Sequence, residues 1–173
     1  MAEPTSDASL VAAARTGDRA AFGQLYERYG RMVHGILLAR VPRYDVADLV
    51  QDVFVLALRQ LGTLRDEGAF GGWLATIARN RAADHLRRSV DETSIPEELP
   101  GEDPTRNEGR WVLRAIRSLP EAYRETLILR LVEGMTGPEI AARTGLTPGS
   151  VRVNLHRGMK QLREKLGWSA NDA

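Results

Sequence analysis

The sequence predicts an all-α protein of two small helical domains, joined by an acidic flexible linker, with a helix-turn-helix in the second domain. Apolar residues recur three and four positions apart along most of the chain, the spacing of amphipathic helices, and strand-like alternation is almost absent. Prolines and acidic residues interrupt this pattern. We therefore predict a first domain at 1–88, a linker at 89–106 and a second domain at 107–173.

The first domain is predicted to contain four helices. The first three begin at side chains that can cap a helix N-terminus and end at glycine or proline. The predicted caps are Ser6 or Asp7, Asp18 and Asp45. The predicted ends are Gly17, the stretch before Pro42, and Gly62. The fourth helix is expected at about 70–88, with Trp73 more readily explained as a core anchor than as a stacking platform.

The linker is the most acidic part of the chain. Residues 89–105 contain six acidic residues, three prolines and no basic residue. Such a composition favours an extended tether over a packed helix. The formal net charge of +1 therefore hides two basic blocks on either side of an acidic one.

The second domain begins with a helix near Asn107 and a second helix after Pro120, which Gly134 ends. Two short helices then flank a turn at Gly145, a residue that adopts positive φ at little cost. Thr136 with Glu139 forms a capping box at the start of the first of them. This pattern is typical of a helix-turn-helix, whose second helix fits the DNA major groove.

Val151 and Leu155 are expected to face inward from that second helix, which is capped by Thr147. The outer face then carries basic side chains. A plain helical hairpin is the alternative, but caps, turn glycine and basic face all favour the DNA-binding motif.

Several function classes are excluded or unsupported. The chain has no cysteine, which excludes disulfides, thiolate metal sites and thiol catalysis. Its three histidines lack metal-ligand spacing, and no phosphate loop or nucleophile–base pair is present. We therefore expect no enzyme activity, cofactor or metal. No apolar run approaches the roughly 18 residues that span a bilayer, and no signal peptide precedes the first helix, so a cytoplasmic location is expected.

Three passages carry a resemblance to a known family. The family is the bacterial extracytoplasmic-function (ECF) sigma factors, which are members of the sigma-70 family. Its core-polymerase-binding segment resembles residues 45–54, and its minus-ten-reading segment resembles residues 70–88. Its minus-thirty-five-reading segment resembles residues 119–166. The resemblance implies a protein that binds core RNA polymerase, directs it to promoter DNA and helps to open the duplex. It also implies regulation by an anti-sigma factor.

The resemblance assigns a polymerase-binding face to the third helix. Its residues are Asp45, Asp48, Gln51 and Asp52. Asp48 and Asp52 lie four positions apart and share a helix face, where a basic partner would offset their mutual repulsion. From the residues alone, an ordinary solvated face remains the alternative reading.

The resemblance also assigns the DNA contacts. Those expected at the minus-ten element are Phe70, Arg79, Asn80, Arg81, Arg87 and Arg88. Those expected at the minus-thirty-five element are Arg130, Arg152, Val153, His156 and Arg157. Val153 and Asn154 replace the serine and arginine common in the family, and Gly71-Gly72 replaces bulkier residues, so the promoter sequence cannot be carried over.

A conventional operator-binding regulator is the competing hypothesis. It would join a helical sensor domain to the same helix-turn-helix. The first domain discriminates between the two, because an acidic docking face and an Arg/Asn-rich fourth helix suit a sigma factor better than a ligand sensor.

Overall fold

The structure is a computed structural model that describes residues 6–91 and 104–168, with side chains described for 6–90 and 109–168. That part of the chain contains eight α-helices and no strand, which confirms the predicted fold class. In chain order they are α1 (Asp7–Arg15), α2 (Arg19–Leu38), α3 (Val46–Gln60), α4 (Phe70–Asp91), α5 (Pro104–Arg117), α6 (Glu121–Leu131), α7 (Gly137–Thr144) and α8 (Pro148–Leu166). None of these helices is long and apolar enough to cross a membrane.

The first two helix starts are confirmed. The Ser6 hydroxyl accepts a hydrogen bond from the backbone N–H of Ser9, and the Asp18 carboxylate accepts two from the first turn of α2. Asp45 precedes α3 but makes no capping bond; its carboxylate instead lies 2.8 Å from Nε2 of His85 on α4. The Asp45 carboxylate therefore bonds a side chain of α4 and not the backbone N–H groups of α3.

Two helix boundaries differ by a few residues from the prediction. Gly62 does not end α3 in a left-handed conformation, because the helix ends at Gln60 and tightens into a 3-10 turn at Leu61–Thr63. At the ends of the predicted linker, residues 89–91 continue α4 and residues 104–106 open α5. Pro104 suits a first helical position, where its missing N–H costs nothing. Residues 92–103, the rest of the predicted linker, lie outside the described residues.

The core of the first domain lies between α1, α2, α3 and α4. Leu25, Met32 and Leu74 have no exposed surface. Trp73 is partly buried and packs on Phe70, with ring centroids 5.8 Å apart. The interpretation of Trp73 as a core anchor is therefore confirmed.

The second domain packs α5, α6, α7 and α8 around Leu127, Ile128 and Ile140, all fully buried. Gly158 of α8 lets α6 approach, because a Cβ there would lie 3.1 Å from both Leu127 Cδ1 and Tyr123 Cβ.

The two domains also pack directly against each other, which the sequence pattern did not predict. Helix α2 lies against α6, and the start of α4 lies against the end of α7. Leu129 of α6 is fully buried against Gly35 of α2, where a Cβ would come within 2.6 Å of Leu129 Cδ2. A glycine on one domain thus admits a leucine from the other.

Candidate nucleic-acid interface

The helix-turn-helix is built as its sequence predicts. The Thr136 hydroxyl accepts from the backbone N–H of Glu139, and the backbone N–H of Thr136 donates to the Glu139 carboxylate at 2.8 Å. These bonds from Thr136 hold the pKa of Glu139 below its ordinary value. Gly145 turns the chain with a φ of 76°, and the Thr147 hydroxyl caps α8. Both helix starts and the turn are therefore confirmed.

Helix α8 presents the predicted groove-facing residues together on its outer surface. Val151 is buried and Leu155 packs on the core, so the opposite side faces solvent. The exposed residues of that side are Arg152, Val153, His156 and Arg157. Arginine can make paired hydrogen bonds to guanine, and valine offers only apolar contact, for example to a thymine methyl.

Arg130 lies elsewhere in the domain, at the end of α6. It is exposed, and its Nη1 donates to the carbonyl oxygen of Met135 at 3.2 Å. This bond orients the guanidinium while leaving its other donors available, as a phosphate contact requires.

The predicted minus-ten residues on α4 fall into two groups. Asn80, Arg87 and Arg88 are exposed, and Arg87 forms an ion pair with Asp84 of the same helix. Arg79 and Arg81 are instead partly buried in ion pairs with other helices.

Phe70 does not meet the expectation of a DNA contact. Its side chain has no exposed surface and packs edge-on against Tyr29, with ring centroids 5.1 Å apart. An aromatic ring at the first position of α4 points into the core because Leu74 and Ala78 continue the same buried stripe. In this conformation Phe70, which was expected to contact the minus-ten element, is a packing residue.

The predicted polymerase-binding residues lie along one side of α3. Asp48 and Gln51 are exposed and have no side-chain partner among the described residues. Asp52 is exposed but pairs with Arg81 of α4 at 2.6 Å, and Asp45 meets His85. The face is therefore partly neutralised by the basic residues of α4.

Exposed apolar side chains continue this face, and sequence reasoning missed them. Val55 and Leu58 follow Gln51 at helical spacing and are about half exposed. Tyr26, also about half exposed, lies against Phe54 of α3, with ring centroids 4.4 Å apart and ring planes tilted at 48°. The sequence position of Val55 could have indicated this exposure, because Val55 does not lie on the inward-facing stripe of α3.

A buried charge network joins the domains. Arg79 of α4 donates from Nε (3.0 Å) and Nη2 (2.6 Å) to the two carboxylate oxygens of Glu125 on α6. Arg40 lies 2.7 Å from the same carboxylate and also bonds Glu121. Burial alone would raise the pKa of Glu125, but the hydrogen bond from Arg79 and the charges of both arginines outweigh it and lower the pKa. Glu125 is therefore ionised, and both of its arginine partners belong to the first domain.

Further polar contacts surround this network. Arg117 of α5 donates to the carbonyl oxygen of Leu38 at 2.9 and 3.0 Å, at the end of α2 where helix carbonyls lack partners. Arg143 of α7 donates to the carbonyl oxygen of Arg28 at 3.0 Å. His34 Nδ1 bonds the Glu133 carboxylate, and this bond raises the pKa of His34.

Two family models match the chain. The model for Sigma-70 region 2 matches residues 25–91, which cover most of α2 and all of α3 and α4. The model for Sigma-70, region 4 matches residues 109–162, which include α6, α7 and most of α8. Their order along the chain is the order of the three resembling passages.

Curated relatives match over almost the full length. The chain is 36% identical to the RNA polymerase sigma factor CarQ of Myxococcus xanthus over 162 residues, covering 88% of this chain and 93% of that protein. It is 33% identical to the ECF RNA polymerase sigma-E factor of Haemophilus influenzae, covering 96% of this chain and 98% of that protein.

Solved structures agree on the fold. The chain is similar to CnrH, solved in complex with the cytosolic domain of CnrY, with a TM-score of 0.67 and 30% identity over 95% of this chain and 99% of that one. The sigma factor RpoE of Bartonella quintana, solved with the anti-sigma factor NepR, shares the fold with a TM-score of 0.56 and 21% identity over 87% of this chain and 97% of that one. With both family segments in place and full-length relatives above 30% identity, this chain belongs to the ECF RNA polymerase sigma factors of the sigma-70 family, which direct transcription initiation.

Proposed function

We propose that this chain binds core RNA polymerase through α3 and positions it on promoter DNA through α4 and α8. The single observation that carries the proposal is the coexistence of these three faces in one chain whose two halves match region 2 and region 4. An operator-binding regulator would need the helix-turn-helix but would leave the region 2 match and the α3 face without a role.

The α3 face supports polymerase docking by combining charge with apolar surface. Asp48 and Gln51 offer acceptors to a basic partner, and Val55 and Leu58 offer apolar area where the same face continues along α3. Interfaces of this kind gain affinity from the apolar centre and orientation from the charges.

We assign the minus-ten element to α4. Asn80, Arg87 and Arg88 are accessible in the described conformation. Arg79 and Arg81 become available only when their carboxylate partners leave. The arginines would hold phosphates, while the Asn80 amide could bond a base that has left the stack.

We assign the minus-thirty-five element to the exposed side of α8. Arg152 and Arg157 are the candidates for base or phosphate contacts, His156 lies between them, and Val153 contributes an apolar contact. Arg130 is the candidate phosphate contact outside α8. The chain then acts by binding and positioning, with no covalent step of its own.

The partners follow from this role. We propose core RNA polymerase and promoter DNA as the working partners, in the cytoplasm. CnrH was solved with the cytosolic domain of CnrY, and the Bartonella RpoE was solved with NepR, which is named as an anti-sigma factor. We therefore expect an anti-sigma factor for this chain as well.

Run-off transcription tests the proposal. Start sites mapped after overexpression of the chain would supply the promoter, and purified core polymerase would be assayed on it with and without the chain. Transcripts from that start site should require the chain. If the chain binds the DNA but never produces specific transcripts with core polymerase, the operator-binding hypothesis is favoured instead.

A further inference from the structure

We infer that Val153 of α8 selects the 5-methyl group of a pyrimidine in the major groove of the minus-thirty-five element, and that Gly149 gives it the clearance to do so. The natural target is thymine, and 5-methylcytosine carries the same group at the same place. The inference rests on the proposed function of α8 and adds the chemical group that one of its residues selects.

Val153 lies on an outward-facing stripe of α8, whose members recur three and four positions apart. The stripe consists of Gly149, Arg152, Val153, His156, Arg157 and Lys160. The opposite side of the helix packs on the domain, since Val151, Gly158 and Leu162 are buried. Val153 itself is 44% exposed and lies outside the hydrophobic core. It is therefore an apolar side chain within a basic surface.

The chemistry of valine restricts what Val153 can contact in a groove. Its side chain has no donor or acceptor, and the apolar group that bases present in the major groove is the 5-methyl group of thymine. Against another base edge, Val153 would cover a polar group without bonding it, which costs free energy. A β-branched residue is also a weaker helix former than most polar residues, so the helix itself does not favour valine at this exposed position.

Gly149 lies one turn before Val153 on the same stripe. Neither its backbone nor its packing requires glycine, because its φ is not positive and an added Cβ would meet only Thr147 Oγ1, at 4.0 Å. Glycine weakens a helix relative to alanine, but it lets the backbone approach a ligand closely. Because the valine side chain is short, this approach is what brings Val153 to the base edges.

The charges around Val153 indicate that DNA covers it. Arg152 precedes it, Arg157 follows one turn later, and both are exposed. Phosphates or guanines held by these two arginines would fix the register of α8 on the duplex. Val153 would then face a single base pair. An apolar protein surface placed on Val153 would instead cover both guanidinium groups without neutralising them.

Removing single methyl groups from the DNA gives the first test. Deoxyuridine would replace each thymine of the minus-thirty-five element in turn, which removes the methyl group and keeps the base pairing. Holoenzyme assembled from core polymerase and the full chain would compete for each duplex, with wild type, Val153→Ala and Val132→Ala. Val132 is also about half exposed but lies at the end of α6, so it is the matched control.

We expect deoxyuridine at one thymine to weaken wild-type binding about fourfold, the effect of one buried carbon group. Val132→Ala should keep this loss, and Val153→Ala should abolish it. At the same position a C·G pair should bind wild type more weakly than T·A, and 5-methylation of that cytosine should restore about fourfold, but not with Val153→Ala. An equal loss with Val153→Ala, or no loss at any thymine, would overturn the inference. If wild-type holoenzyme forms no specific promoter complex, the proposed function fails instead.

The variant Gly149→Leu tests the clearance. Leucine is a better helix former than glycine, so the melting temperature should not fall. We expect this variant to bind the thymine promoter as weakly as the deoxyuridine promoter, because the added side chain holds Val153 away from the bases. Discrimination as strong as that of wild type would overturn the role of Gly149.

Discussion

Two leucines on α6 test whether the domains dock in solution. Leu127 and Leu129 are both fully buried, but they serve different interfaces. Leu127 packs against Gly158 of α8 inside the second domain, whereas Leu129 packs against Gly35 of the first domain. Leu129→Ala therefore removes contact between domains, and Leu127→Ala is the matched reference on the same helix.

The cost of Leu129→Ala follows from the atoms it removes. Three carbon groups leave a buried site, at about 0.8 kcal/mol each, and part of the vacated volume remains as a cavity. The expected loss is about 2.5–3 kcal/mol, or about a hundredfold in the ratio of docked to undocked chains. Because the second domain must undock before it unfolds, this loss reduces its free energy of unfolding, up to the total docking energy.

Urea unfolding followed by tryptophan fluorescence measures the effect, since Trp111 and Trp168 belong to the second domain. With a slope of about 1–3 kcal/mol per molar urea, the midpoint for Leu129→Ala should fall by about 1–3 M. The urea midpoint for Leu127→Ala should fall by at least as much. If Leu129→Ala costs less than about 0.5 kcal/mol while Leu127→Ala is destabilising, Leu129 is a surface residue and the docked arrangement is refuted.

Three further predictions concern binding and pH. Asp48→Arg should weaken capture of core polymerase at least tenfold without changing the melting temperature; unchanged capture would remove α3 from the interface. Arg152→Ala should cost about 1–3 kcal/mol of promoter affinity and relax preference at one base pair, whereas equal losses on all sequences would identify a phosphate contact. The bond to Glu133 raises the pKa of His34 from its ordinary 6.5, against desolvation and the nearby charge of Arg43. The ion pair of His34 with Glu133 therefore contributes fully to docking below pH 6.5, and this contribution disappears as the pH rises through the raised pKa. The urea midpoint should fall over that pH interval in wild type but not in His34→Gln.

The caps, the turn and the outer face of the helix-turn-helix could be predicted because the residues that determine them are close together in the sequence. Thr136, Glu139, Gly145 and Thr147 act within one helical turn of their own positions, and each does in the structure what its residue type favours. The outward direction of Arg152 follows from the helical period once Val151 is buried.

Residues whose role depends on a distant neighbour were not predictable in the same way. Tyr26 and Leu58 are large apolar residues of amphipathic helices, yet both are about half exposed. Phe70 was assigned to DNA but is buried against Tyr29. An apolar residue at the edge of a stripe is buried or exposed according to which helix covers it, and that is decided by packing.

The sequence by itself determined the helices, every predicted cap except Asp45, the helix-turn-helix and the family, because periodicity, capping and motif order are properties of neighbouring residues. Only the tertiary structure decided that the two domains dock. Glu125 looks in sequence like one more acid on an amphipathic helix. Its burial between Arg40 and Arg79, which lie 85 and 46 positions away, depends on the contact of α6 with α2 and α4. No local pattern encodes such a pairing, since its energy comes from charges that meet only after both domains have folded.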